Sequence, residues 1–188
     1  MKPQYDFIHA CKDGDLELAK KIMSQGKVMV DCPMYGRHAL LEACYRGRLE
    51  VVKWLVTDCK ADFKIVDWSE RTVLHLACWS GELDLVKWLV IECKANPNLP
   101  NANGDTSLAL ACDRGHLEVA KLLLTDAKYL SFVNDEGYSP FKRVCKRGHL
   151  ELVKWMVNEC GVRPPLLDNA RPEVAKWLAE RKPNNNDL

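Results

Sequence analysis

Gly104–Leu124, GDTSLALACDRGHLEVAKLLL, reads as two short helices hinged at Gly115. The chain repeats this stretch. Gly14, Gly47, Gly81, Gly115 and Gly148 each open a G-x-L-[ED]-x-[VA]-K pattern, and successive glycines lie 33, 34, 34 and 33 residues apart. A fixed period of that size is the mark of stacked two-helix units, each too small to bury its own apolar face and dependent on its neighbours for a core. The second helix of the quoted stretch agrees. Leu117, Val119, Ala120, Leu122 and Leu123 cannot all face one neighbour, so this helix is expected to pack between others.

Tyr5–Gly26 shows the two-helix pattern with no turn segment before it, as expected of an N-terminal cap, and residues 1–4 read as a frayed start. Four units follow at 27–61, 62–95, 96–128 and 129–161. Each begins with turn residues between short extended pieces, at Tyr35-Gly36, Trp68-Ser69-Glu70, Asn103-Gly104 and Glu136-Gly137, as hairpin tips do. Thr72, Thr106 and Ser139 stand where a hydroxyl can cap the first helix, and the first unit has His38 there. Beyond Gly161 the pattern shortens to a C-terminal cap over 162–182, with Pro172 at the start of EVAKWLAERK and a polar tail at 183–188.

These residues resemble the ankyrin repeat. TVLHLACWSGELDLVKWLV at 72–90 and TSLALACDRGHLEVAKLLL at 106–124 align with the T-P-L-H-L-A-A-x-x-G-H-L-E-I-V-x-x-L-L pattern of that family. The resemblance runs from Tyr5 to about Lys182 and implies an all-α solenoid with short β-hairpin loops, four central repeats and two caps. Departures are visible. Pro140 is the one proline kept in a T-P-L-H box, and Lys60, Lys94 and Lys128 replace the glycine that ends the second helix. A lysine in a left-handed C-cap costs about 1 kcal/mol against glycine. The third and fourth hairpins are expected to be irregular.

Charge gives no whole-chain case for nucleic acid or membrane, since 27 basic residues meet 26 acidic ones for a formal +1. No run of about 18 apolar residues and no leader pattern occurs. The nine cysteines lie in repeat register. Cys11, Cys44, Cys78, Cys112 and Cys145 stand three residues before a hinge glycine, Cys59, Cys93 and Cys160 twelve after one, and Cys32 is odd. Stacked helices lie about 10 Å apart, too far for a disulfide down a column. Small apolar core residues in a reducing compartment, the cytoplasm with the nucleus also open, are expected.

Catalytic chemistry has no foothold. The five histidines lack metal-ligand spacing, and no phosphate loop, nucleophile elbow or dinucleotide fingerprint occurs, so neither enzyme activity nor a cofactor is expected. His75, His116 and His149 read as structural hydrogen-bonding residues. A lysine column, Lys20, Lys53, Lys87, Lys121, Lys154 and Lys176, is matched by acidic residues three positions earlier, giving a near-neutral outer stripe. Trp54, Trp88, Trp155 and Trp177 share one slot and read as core.

The residues that break the repeat are free to serve a partner. In proteins resembling this one they line the concave face, on hairpin tips and the exposed side of the first helix. Carried over, they are Tyr35, Arg37, Tyr45 and Arg46, then Trp68, Arg71 and Trp79, then Asp113 and Arg114, then Tyr138, Lys146 and Arg147. Aromatics and arginines are the usual carriers of interface energy. A monomeric module that binds another protein is expected, with Trp68 and Trp79 as anchor. Two alternatives stand beside it. One is nucleic-acid association or docking of an acidic segment through Lys142, Arg143, Lys146 and Arg147. In the other, implied by the resemblance, Asn98 is a substrate for asparagine hydroxylation.

Overall fold

The computed structural model describes residues 2–124, 134, 139–164 and 170–181. Among them are eleven helices, which fall into hinged pairs: α1 (Lys2–Asp13) with α2 (Leu16–Ser24), α3 (Ala39–Tyr45) with α4 (Leu49–Thr57), α5 (Val73–Ser80) with α6 (Leu83–Ile91), α7 (Ser107–Arg114) with α8 (Leu117–Leu123), and α9 (Pro140–Arg147) with α10 (Leu150–Asn158). The last, α11 (Pro172–Glu180), packs on α10. The first helices form one continuous row, α1 on α3 on α5 on α7 on α9, and each also packs on its own partner. This is the repeat solenoid that the period implies.

Local chemistry explains where the helices start and stop. Thr72, Thr106 and Ser139 accept from the backbone N–H three residues on, as expected, while His38 makes no such bond. Each hydroxyl cap contributes about 1 kcal/mol. Lys60 and Lys94 do adopt the left-handed conformation, at φ 58° and 56°. Lys128, with the fourth hairpin, lies outside the described residues.

The core is one continuous cluster from Phe7 to Val174. Cys11, Cys44, Cys78, Cys112 and Cys145 are buried in it as free thiols; burial pushes Cys11 and Cys145 up to about 12 and the other three higher still, so these sulfurs stay protonated. Trp155 is buried, and Trp54, Trp88 and Trp177 are half-buried against the core. On the outer stripe Lys20, Lys53, Lys87, Lys121 and Lys154 pair with the carboxylate three residues before them. Lys176 does not: it reaches forward to Glu180 at 3.9 Å, the i,i+4 neighbour.

One expectation needs correction. Residues 2–4 are not frayed as expected, because α1 begins at Lys2, and the Gln4 amide holds it in place, donating to the carbonyls of Met29 and Cys32 and accepting from Met29 N–H. The hairpin loops are short: among the described residues two isolated bridges, Met34 with Arg37 and Val66 with Thr72, close the first two tips. Side chains do part of the work as well. The Asp67 carboxylate accepts from Ser69 N–H and Arg71 N–H, and Asn101 Oδ1 accepts from Asn103 N–H and Asp105 N–H. Neighbouring tips are tied by Ala102 N–H donating to Ser69 O at 2.9 Å.

Candidate functional site

Two residues at the end of each first helix precede the hinge glycine, Arg46 serving as the cap of α3, and the third position lies just after the glycine. Stacking at a constant pitch aligns these positions into columns. Tyr45, Trp79, Asp113 and Lys146 form one, Arg46, Ser80, Arg114 and Arg147 the second, and Arg48, Glu82, His116 and His149 the third. Where the columns meet, a groove of about 570 Å³ opens, lined by all of these except Glu82 and Lys146.

The third column stitches the units together. Arg48 Nε donates to Lys12 O at 3.1 Å, His116 Nε2 lies 3.2 Å from Trp79 O, and His149 Nε2 lies 2.9 Å from Asp113 O. A carbonyl can only accept, so each Nε2 carries the proton. Burial pushes His116 below its ordinary value, the Trp79 carbonyl opposing and Arg114 reinforcing that shift, so the ring is held neutral.

The first two columns set the groove's character. Asp113 is buried, and Arg147 grips it with two bonds, Nε to Oδ1 at 2.9 Å and a terminal nitrogen to Oδ2 at 3.0 Å. The Arg114 guanidinium lies 4.2 Å from the centroid of the Trp79 ring and that of Arg46 5.7 Å from Tyr45, both within cation–π range. Trp79 Nε1 is buried with no acceptor among the described residues, so packing and Arg114 fix its ring.

A second depression of about 280 Å³ shares Tyr45 and Arg46 and adds Arg37 and Arg71 from the tips. Arg37 stands 3.7 Å from Glu42, and Arg71 donates Nε to Asp67 Oδ2 at 2.7 Å. Burial alone would raise the Asp67 carboxyl; the bonds from Arg71 and Ser69 outweigh it and hold it below the ordinary value.

Of the residues singled out from sequence, Tyr45, Arg46, Trp79, Asp113, Arg114 and Arg147 converge on the larger groove, and Arg37 and Arg71 on its neighbour. Trp68 and Trp79 do not share a cavity. Trp68 is 88% exposed on its tip, its indole laid over Gly36 of the preceding one, beside Tyr35 at 83%. Lys146 is exposed on α9 and does not line the groove, Asn98 is exposed in the loop after α6, and Tyr138 lies outside the described residues. The basic fourth-unit cluster is partly spent on structure, since Arg143 pairs with Asp105 at 2.6 Å and Arg147 with Asp113. Arg48, His116 and His149 line the groove unforeseen; their place immediately after the hinge was the signal.

Among the described residues no group of histidine, cysteine and carboxylate side chains is arranged to hold a metal, and no helix is long and apolar enough to cross a membrane. Compared with known families, the chain matches the model described as ankyrin repeats (3 copies) twice, over residues 7–101 and 74–168. No curated protein matches it.

Proposed function

Because the chain belongs to the ankyrin-repeat family, whose repeats are generally protein–protein interaction modules, we propose that it is a non-catalytic module that holds another protein against the row of first helices and loop tips. The observation that carries this reading is the groove at the hinge columns, where Trp79, Tyr45 and three arginines other than Arg147 stand together on a rigid helical row. Aromatic and arginine side chains on such a support make good anchors, because little freedom is lost when a partner docks. Exposed Trp68 and Tyr35 extend the same surface along the tips.

The test is affinity capture from lysate with the intact chain beside Trp79→Ala and Trp68→Ala, each checked by circular dichroism and melting. Trp79→Ala is expected to weaken capture of the principal partner by about 2 kcal/mol or more, some thirtyfold. Trp68 is so exposed that its variant leaves melting unchanged and reports on the tips alone. Retention of the same proteins by both folded variants contradicts the reading.

A further inference from the structure

We propose that the segment this module takes is acidic, and that its carboxylates are received by Arg46 and Arg114 in the hinge groove; the inference rests on the protein-binding reading above. The groove's wall carries four arginines, Arg46, Arg48, Arg114 and Arg147, against the single carboxylate of Asp113. That is an excess of three positive charges, with histidines neutral, in a chain whose formal total is +1. The outer stripe differs: there Lys20, Lys53, Lys87, Lys121 and Lys154 are each matched by a carboxylate three residues earlier, so that face has no such excess.

The four arginines are not equivalent. Arg147 spends two of its donors on Asp113, and Arg48 donates Nε to the Lys12 carbonyl. Arg46 and Arg114 form no ion pair among the described residues, and an aromatic face supports each guanidinium. A guanidinium held over a ring face keeps N–H donors at its own edge, and a carboxylate can take two of them at once. Aromatic support also lowers the ordering cost of that contact. The columns put the two sites at the C-terminal end of α3 and on α7, either side of Trp79 on α5, so carboxylates separated by uncharged residues suit them.

A peptide fits this wall better than a nucleic-acid strand. Asp113, Glu42 and Asp67 interrupt the basic run through the groove and its neighbour, and an unbroken phosphate backbone would have to pass them. A peptide places its charges where its side chains allow, and its amides can donate toward the carboxylates.

A random peptide library panned on the full chain tests this, the selected peptides then being measured by fluorescence anisotropy at about 50 and about 300 mM salt. Selected peptides are expected to be rich in Asp and Glu and to bind more weakly at the higher salt. Their affinity should fall about tenfold or more with Arg46→Gln/Arg114→Gln, which keeps the aliphatic stems. Lys53→Ala/Lys87→Ala removes as much charge from the outer stripe and is expected to change nothing. Neutral or basic winners, undiminished binding to the glutamine variant, or tighter binding of an oligothymidylate overturn the proposal. Neutral winners that are lost with Trp79→Ala overturn it and leave the protein-binding reading standing. Neutral or basic winners indifferent to Trp79→Ala overturn both.

Discussion

Replacing His75 with alanine is expected to lower the unfolding free energy by about 3–5 kcal/mol, the sum of a lost cap, a stranded buried acceptor and a cavity. The ring is fully buried and bonds at both ends. Thr72 N–H donates to Nδ1 at 3.2 Å while Thr72 Oγ1 accepts from His75 N–H at 3.3 Å, which closes the start of α5. Since Nδ1 accepts, the proton sits on Nε2, which donates to Asp105 O in the next unit at 3.0 Å. Asp105 in turn holds Arg143 on α9. One side chain thus couples three successive units, and its loss should lower the melting temperature by about 10 °C in a chain of this size. A change below about 1 kcal/mol in denaturant titration contradicts that coupling.

The same ring makes stability depend on pH. Burial pushes His75 below its ordinary value, only partly offset by the Asp105 carbonyl, and His116 is lowered for the same reason. A lowered histidine means that the unfolded chain binds the proton first. Stability is therefore whole above about pH 6.5 and falls as pH drops through the unfolded value toward the folded one, by up to about 1.4 kcal/mol per pH unit for each proton taken up. His75→Ala should flatten this slope.

Gly81→Ala is expected to cost about 3 kcal/mol, and Gly26→Ala only about 1 kcal/mol, although both glycines are left-handed. Gly81 stands at φ +83° and Gly26 at φ +66°, so the backbone penalty is shared. The difference is what a methyl group would meet. At Gly81 it runs into the His116 imidazole, which is fixed by its bond to Trp79 O; at Gly26 nothing lies within 4 Å. The alanine at Gly81 must push the third column away from the second and so disturb the groove as well. Thermal melts of the two variants decide the matter, and equal costs would show that the close fit of His116 on the hinge is not a restraint.

Much of the fold was legible because stacking is periodic. The hinge glycines, the hydroxyl caps and the buried cysteines recur at one spacing, and each was found where the spacing put it. Gln4 was not legible, because its bonds to Met29 and Cys32 cross between segments with no shared pattern. The candidate site was half legible. Residues that break the repeat pointed to Trp79, Arg46 and Arg114, yet they could not reveal that Trp68 and Trp79 lie apart, nor that Asp113 is buried under Arg147. Both depend on the reach of side chains from one unit to the next, and residue spacing carries no information on reach.

Photo-crosslinking shows directly whether a partner sits on the first-helix row. A benzophenone amino acid placed at Tyr45, on the wall of the groove, is compared with one at Lys87, on the outer stripe. In lysate, a discrete protein should crosslink from Tyr45 and be absent from Lys87. Crosslinks from Lys87 alone, or equal ones from both, would contradict a partner seated on the first-helix row.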